Sequence, residues 1–171
     1  MNEALRECRA LCLGGAMPLN PVKESPMANV RGCNLPDDLY YSVEDNSWAR
    51  KEADGTVTVG MTSYACSVAG QIVSYTPKKE GKEIEAGKSV ATVESGKWVG
   101  PVKTPVSGEI LEINELLDGK PGTINESPYG EGWLVKMRPL DWDNEAANLV
   151  TGSGIADAFE AKMNADGFGG C

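Results

Sequence analysis

The sequence predicts a mainly β fold: a small sandwich or flattened barrel of two sheets, with short flanking helices and a C-terminal helix. Short apolar runs alternate with glycine- and proline-rich turns through the middle of the chain. Two of these runs, Val68–Tyr75 and Val106–Ile113, share one residue pattern, which fits two small sheets related by a pseudo-twofold axis. With 171 residues, 41% of them hydrophobic, the chain is long enough for one domain with a core.

The first 37 residues are interpreted as an N-terminal extension, partly helical and then extended. Apolar and cysteine side chains recur near the helical period before Gly14 and Gly15, which predicts a short helix over residues 1–15. Several prolines, asparagines and glycines over residues 16–37 predict an extended arm or linker. The folded domain is therefore expected over residues 38–165.

The early part of that domain is predicted to contain three strands and one helix. Asp54-Gly55 is a hairpin-turn signal before an alternating apolar run, and Thr62 is a suitable helix N-cap. These elements are strands over 39–43, 47–50 and 56–61 and a helix over 63–69.

The later part is predicted to add further strands and two helices, with the strand at 132–137 closing the sheet. Ile155, Ala158, Phe159 and Met163 share one face of the last helix. The glycine-rich residues 166–171 are expected to be a flexible tail. The remaining elements are strands within 68–75, 88–94, 99–105, 106–113 and 132–137 and helices over 144–150 and 154–163.

Composition excludes several classes of function. The chain has 16 Lys and Arg against 25 Asp and Glu, a net charge of −9 and no histidine. Histidine-dependent triads, HExxH zinc sites and imidazole bases are therefore impossible. An acidic surface disfavours nucleic-acid binding. We expect a cytoplasmic protein without a membrane partner, because no apolar run approaches bilayer length and residues 1–15 make a poor signal peptide.

The cysteines are expected to be reduced thiols, because their number is odd and the chain is too long to need disulfides for stability. Cys8 and Cys12 would share a helical face, but two thiolates do not complete a zinc site, so no metal is predicted. Cys66 is expected to be buried and Cys171 to be the most exposed thiol, with sulfur relay a further hypothesis for either. The five cysteines are Cys8, Cys12, Cys33, Cys66 and Cys171.

One predicted hairpin places a lysine at its tip. An alternating strand leads into Glu94-Ser95-Gly96-Lys97, and a second apolar segment follows Trp98. Gly96 permits a positive φ angle at such a turn. Spacing alone indicates no more than a solvated loop lysine at position 97.

Resemblance to a known family gives this turn a stronger interpretation. Residues from about Leu39 to Phe159 resemble the H protein of the glycine cleavage system, which has the lipoyl-domain, or hammerhead, fold. The matching stretches are Thr56–Ala65, Gly70–Val73, Gly81, Gly87, Val93–Lys97, Thr104–Asn114 and Asn125–Lys136.

The resemblance implies a non-catalytic carrier with lipoic acid joined by an amide to Lys97. It also implies that Glu94 lies on the surface seen by the attaching enzyme, with Ser95 and Gly96 completing the turn. The implied partners are a lipoate-protein ligase or lipoyl transferase, and dihydrolipoamide dehydrogenase. No catalytic residue is assigned to this chain.

Departures from the usual H protein favour a specialised branch. Asn46 and Ser47 stand before Trp48 where a histidine is usual, and Gly96 and Trp98 flank the lysine. Trp98 is expected either to form partner surface or to pack back on the sheet. These features resemble the lipoate-binding proteins of sulfur-oxidising prokaryotes, which implies a heterodisulfide-reductase-like partner complex.

Three hypotheses therefore remain open. The leading one is a lipoyl carrier that shuttles sulfur-bound intermediates between enzymes of dissimilatory sulfur oxidation. The second is a glycine cleavage H protein that carries an aminomethyl group. The third is an unmodified H-like scaffold that only binds proteins, since the Gly96-Lys97-Trp98 flanks are atypical for a standard ligase.

Overall fold

A computed structural model describes residues 26–171, which form eleven strands, five α-helices and one 3-10 helix. The strands are β1 (Met27–Val30), β2 (Cys33–Pro36), β3 (Tyr40–Ser42), β4 (Ser47–Lys51), β5 (Val57–Met61), β6 (Ile72–Pro77), β7 (Glu83–Ile84), β8 (Ser89–Ser95), β9 (Val99–Lys103), β10 (Gly108–Ile113) and β11 (Val135–Pro139). The helices are α1 (Ser63–Ala69), α2 (Leu116–Gly119), α3 (Thr123–Glu126), α4 (Trp142–Ala146), the 3-10 helix Gly152–Gly154 and α5 (Ile155–Ala165). The predicted helix at residues 1–15, with Cys8 and Cys12, lies outside the described residues.

The strands form three antiparallel sheets. A six-stranded sheet has the order β3-β4-β5-β11-β10-β7, a three-stranded sheet the order β6-β8-β9, and β1 pairs with β2 in a hairpin. The two repeated sequence runs contribute β6 and β10, which lie in different sheets. Within residues 26–171 the sheets are open, so the mainly β sandwich with short helices is confirmed and the flattened barrel is not found.

Strand β11 differs from its predicted role. The run at 132–137 was expected to close the sheet, whereas β11 begins at Val135 and lies between β5 and β10 in the middle of it. Its Val135 and Met137 are fully buried, as are Val57 and Val59 on β5. Apolar residues on both partner strands therefore favour the central position.

Helix α1 follows the predicted capping. The Thr62 hydroxyl accepts a 3.0 Å hydrogen bond from the Ala65 N–H, and Gly70 ends the helix at a φ of 82°. This satisfies free N–H groups in the first turn. The helix connects β5 of the large sheet to β6 of the small one, so it lies where the two sheets meet.

The segment expected to be a linker contains a hairpin in its described part. Strands β1 and β2 turn at Arg31 and Gly32, both of which have positive φ angles. The main core cluster includes Val59 of β5 and Val93 of β8. A second core cluster lies on α5, where Val30, Cys33 and Leu35 are buried with Phe159 and Met163. Alternating apolar residues on the short strands explain the difference, since each gains by packing on the helix.

The cysteine prediction was wrong for Cys33 and Cys171. These residues form a disulfide across a sequence separation of 138 residues. The Cys171 N–H also donates a 2.8 Å hydrogen bond to the Arg31 carbonyl, and Phe168 packs on Tyr64. Local sequence gives no signal for this pairing, because Cys33 and Cys171 meet only in the folded domain. Cys66 is a buried free thiol, as expected.

Two classes of feature are not found in the described part of the chain. No helix there is both long enough and apolar enough to cross a membrane. Residues 26–171 also contain no cluster of three or more cysteine or carboxylate side chains suited to a metal ion.

Candidate functional site

The hairpin of β8 and β9 presents the Glu-Ser-Gly-Lys turn at the end of the three-stranded sheet. Glu94 pairs with Val99 in the last register position before the turn, and Gly96, Lys97 and Trp98 form the connection. Buried Val93 lies just before it. The structure therefore brings all five sequence-predicted site residues together at one hairpin tip.

Ser95 organises the turn and anchors it to α1. Its hydroxyl donates a 2.6 Å hydrogen bond to the Ala69 carbonyl and accepts the Trp98 N–H at 3.1 Å. Its own N–H donates to the Trp98 carbonyl at 2.7 Å. Only 5% of Ser95 is exposed. The buried serine fixes the base on which Lys97 stands.

Lys97 is exposed and lies over the end of α1. A Cβ built on Gly70 would be 3.0 Å from the Cε of Lys97 and 3.7 Å from its Nζ. Among the described residues, Nζ has no hydrogen bond or ion pair. Gly70 thus lets the lysine stem lie close to the helix end, with a free amine at the surface.

Gly96 does not serve the purpose predicted for it. Its φ angle is not positive, and a Cβ built there would meet no atom within 4 Å. Gly96 is exposed, and the turn is held by Ser95 instead. The prediction that this glycine supplies a positive φ was wrong, because the Ser95 hydroxyl stabilises the turn without it.

Trp98 packs back on the sheet, which is one of the two expectations for it; a partner contact, the other, stays a prediction. Its indole packs across Gly100, where a Cβ would lie 2.1 Å from Cζ2, so a side chain at position 100 would displace the ring. Trp98 nevertheless remains 40% exposed. Apolar Val73 and Val99, on the strands next to β8, are also exposed near the tip.

Glu94 lies on the exposed face of β8. Its register partners are Val99 on β9 and Ser74 on β6. In the described part of the chain its carboxylate makes no hydrogen bond or ion pair. The carboxylate and the Lys97 amine are both accessible to a protein that approaches the tip.

A cavity of about 400 Å³ lies beside the lysine, between the hairpin tip and α1. Lys97 and Trp98 line one side, and Asp45 and Asn46 line another. The Oδ1 atom of Asn46 is buried without a hydrogen-bond partner within residues 26–171. The remaining lining residues are mostly apolar: Met61, Ala65, Val68, Ala69, Pro101 and Val102.

Helix α1 also carries Cys66, which does not line the cavity beside Lys97. Burial raises the pKa of the Cys66 thiol to about 12, and its Sγ lies 3.5 Å from the Ile124 carbonyl oxygen. At neutral pH this thiol is protonated and a poor nucleophile. Cys66 is therefore a packing residue, and the hypothesis that it relays sulfur gains no support.

Sequence reasoning missed the residues that support the tip from other elements. Gly70, Ala69 and Gly100 set the positions of Lys97, Ser95 and Trp98. Gly70 carried a visible signal, since it follows a capped helix where a glycine is commonly found. Gly100 and Ala69 carried none, because their roles depend on side chains folded back onto them.

This arrangement suits a lysine that is modified and then visited by other proteins. A rigid hairpin presents a free amine, and a mostly apolar cavity beside it can shelter an acyl chain. Asp45 adds a carboxylate to one side of that cavity. The described residues fit a covalently attached acyl group at Lys97.

Comparisons with known proteins agree with this arrangement. Residues 39–162 match the family model described as Glycine cleavage H-protein. Glycine cleavage system H protein 5 of Aquifex aeolicus is 48% identical over 145 residues, covering 82% of this chain and 97% of the relative. Probable glycine cleavage system H protein 2 of Sulfurisphaera tokodaii is 43% identical over 142 residues, covering 82% and 95% respectively.

A solved structure supports the same relationship. The crystal structure of a glycine cleavage system H protein from Mycobacterium marinum superposes with a TM-score of 0.64 at 32% identity. The match covers 76% of this chain and 99% of that one.

Proposed function

The chain belongs to the glycine cleavage H-protein family, and from that premise we propose that it is a lipoyl carrier with its arm attached at Lys97. Members of the family are non-catalytic carriers with lipoate joined to a lysine. They interact with a lipoyl ligase and with the dehydrogenase, aminomethyltransferase and dihydrolipoamide dehydrogenase of glycine cleavage. Bound lipoate supplies a strained disulfide that accepts a transferred group or electrons.

The main support for Lys97 as the attachment residue is its position at the hairpin tip. The amine is unpaired in the described part of the chain, and buried Ser95 holds the backbone beneath it. Glu94 and Gly96, both exposed beside it, offer the attaching enzyme a carboxylate and an unobstructed backbone. A ligase that reads the tip would therefore meet Glu94, Gly96 and Lys97 together.

Glycine cleavage is the better-supported setting for the carrier. The family model and the relatives are those of glycine cleavage proteins, so the comparisons favour the aminomethyl carrier over our leading sequence hypothesis of sulfur oxidation. The cavity beside Lys97 offers an amine cargo one carboxylate, that of Asp45, whose Oδ1 also accepts a 3.0 Å hydrogen bond from Lys103.

A sulfur-carrying role is the second candidate, favoured by the residues around the lysine. Trp98 adds an exposed indole next to the arm, a typical interface anchor. Relatives in one Aquifex aeolicus strain are numbered 2, 3 and 5, which fits several carriers with divided duties. A heterodisulfide-reductase-like complex is the partner this candidate requires, and we propose Trp98 as its contact.

We also propose a three-part organisation and a location. Residues 1–37 are an extension to the family domain at 38–165, and 166–171 are a tail that the Cys33–Cys171 disulfide joins to the extension. The proposed location is the cytoplasm, where the family's partner enzymes work.

The test begins with attachment. The full chain is co-expressed with a lipoate-protein ligase, and intact mass with peptide mapping locates the added lipoyl mass. We expect it on Lys97 and expect none in Lys97→Arg, which keeps the charge. Unmodified Lys97, under conditions that modify another H protein, would leave the unmodified scaffold as the better hypothesis.

The second stage separates the two carrier roles. Lipoylated chain is offered to purified glycine dehydrogenase with glycine, and separately to a heterodisulfide-reductase-like complex with a sulfur donor. Turnover with the first supports the aminomethyl carrier. Turnover with the second alone, lost in Trp98→Ala, supports the sulfur carrier.

A further inference from the structure

The Cys33–Cys171 disulfide and Lys97 lie at opposite ends of α1. The Cys171 Sγ is 3.8 Å from the Ser63 carbonyl oxygen, at the first residue of the helix. Lys97 lies against Gly70, the residue that ends it. A helix of this length spans roughly 10 Å. The lysine amine and the disulfide are therefore separated by little more than two helical turns.

A groove of about 320 Å³ runs along this helix on the side of the disulfide. Ser63 and Cys171 line one end and Gly70 and Gln71 line the other, with Ser67, Asn125 and the buried free thiol Cys66 between them. It is distinct from the larger cavity, which α1 lines through Ala65, Val68 and Ala69. The stem of Lys97 lies against Gly70, at one end of this groove. An acyl chain that starts at Lys97 can therefore follow either the larger cavity or the groove, and the groove ends at Cys171 of the disulfide.

The two sulfurs of the disulfide differ in access. Cys33 is fully buried in the second core cluster, whereas Cys171 is exposed and lines the groove. Thiol–disulfide exchange requires access to the sulfur that is attacked. Only the Cys171 side of the bond meets that condition within residues 26–171, so exchange would begin there and leave Cys33 as the departing sulfur.

We propose that the Cys33–Cys171 disulfide is an internal electron acceptor for a reduced lipoyl arm on Lys97, an inference that rests on the attachment site proposed above. The Cys33–Cys171 bond breaks, and each cysteine sulfur gains one electron and one proton. Both electrons and both protons come from the dithiol of the arm, whose own sulfurs join in a ring. No other oxidant or reductant is needed.

The cytoplasm, which is the location proposed above, favours an exchanging disulfide over a purely structural one. Disulfides in reducing compartments are rare, and those present are usually transient or redox-active. Exposed disulfides are also more labile than buried ones. The reaction would re-form the oxidised arm once without dihydrolipoamide dehydrogenase. It would also release the tail that follows α5, because the disulfide joins Cys171 of that tail to Cys33.

The experiment follows thiols by mass. The full chain carries Cys8→Ser and Cys12→Ser, so that cysteines outside the described residues take no part. After lipoylation is confirmed by intact mass, one equivalent of NADH with catalytic dihydrolipoamide dehydrogenase reduces the arm. Samples are quenched with N-ethylmaleimide at intervals and mapped by peptide mass. We expect label to appear on Cys33 and Cys171 while the arm returns to its unlabelled form.

Variants separate the proposed path from other routes. Lys97→Arg should keep the cysteine disulfide, which excludes direct reduction by the dehydrogenase. Ser67→Trp narrows the groove and should slow the transfer about tenfold. Ser153→Trp, at an exposed serine that lines neither the groove nor the cavity beside Lys97, is the matched control and should leave the rate unchanged.

Each outcome decides between the two proposals. Label confined to the arm, with the cysteine disulfide intact, overturns the internal acceptor and leaves the carrier function standing. A transfer rate that rises with protein concentration also overturns it, because the exchange is then between molecules. Absence of lipoyl mass on Lys97 overturns the carrier function and this inference with it.

Discussion

The Ser95 hydroxyl donates a 2.6 Å hydrogen bond to the Ala69 carbonyl, which joins the hairpin tip to the end of α1. The two residues belong to different elements, and the bond lies beneath the lysine proposed to carry the arm. Since Ser95 also accepts the Trp98 N–H, one buried oxygen serves both the turn and the helix.

Replacing Ser95 with alanine is expected to loosen the tip. The change leaves the Trp98 N–H without its partner and should lower the free energy of unfolding by about 1–3 kcal/mol. It should also slow lipoylation of Lys97, because the turn is no longer held. Denaturant unfolding and timed intact mass measure the two effects.

Ser89→Ala is the matched control for that variant. Ser89 lies at the other end of β8, and its hydroxyl donates to the Ala91 carbonyl at 2.9 Å. It should cost some stability but leave the lipoylation rate unchanged. Equal slowing in both variants would contradict a specific role for Ser95.

Alanine substitutions at Gly70 and Gly96 should differ sharply. Gly70 has a φ of 82° and a ψ of −167°, a region nearly restricted to glycine, and Lys97 packs against it. Gly70→Ala should cost about 1–3 kcal/mol of unfolding free energy and displace the lysine stem. Gly96→Ala should cost less than about 0.5 kcal/mol, since a Cβ there meets no atom. A loss of more than about 0.5 kcal/mol of unfolding free energy in Gly96→Ala would contradict the observed turn geometry.

Removal of the Cys33–Cys171 disulfide should destabilise the domain. The disulfide closes a long loop, so Cys33→Ser with Cys171→Ser should lower the unfolding free energy by about 2–5 kcal/mol. Reductant should destabilise the unaltered chain and Cys66→Ala, but not the double variant. Chemical unfolding with and without reductant checks this, and a reductant-insensitive parent chain would refute it.

The Tyr64–Asp166 hydrogen bond should make stability depend on pH at both extremes. Tyr64 donates to Asp166 at 2.5 Å. This bond, with Lys162, lowers the pKa of Asp166, so its contribution is present above the unfolded pKa of about 4 and is lost as pH falls through the lower folded value. Burial, helped by Asp166, raises the pKa of Tyr64 to about 12.

The contribution of Tyr64 to stability depends on pH in the opposite direction. Its contribution is present below the unfolded pKa of about 10 and is lost as pH rises through about 12. The difference in unfolding free energy between the parent chain and Tyr64→Phe should therefore be largest between these limits. A difference that stays constant from pH 3 to pH 11 would contradict the assigned bond.

The features that were predicted depend on neighbours in the chain. Alternation over Val57–Met61, the Thr62 cap and the apolar face of Ile155, Phe159 and Met163 are local patterns, and the structure has them where they were predicted. The hairpin tip with Lys97 is local in the same sense, because an alternating strand and a turn need only adjacent residues.

The features that were missed depend on residues distant in sequence. The β1–β2 hairpin is stabilised by α5 more than a hundred residues later, and β11 lies at the sheet centre because strands from both parts of the chain flank it. Trp98 accommodates its ring only because Gly100 has no side chain.

By itself, the sequence of this protein determined the mainly β class, the carrier family and the lysine at the hairpin tip, since these depend on local periodicity and short motifs. Only the tertiary structure decided that Cys33 bonds to Cys171, that Lys97 rests on Gly70 and that a groove extends from Gly70 to Cys171. The physical reason is that these contacts form between segments brought together by burial of the core, and no local pattern encodes which distant surfaces will meet.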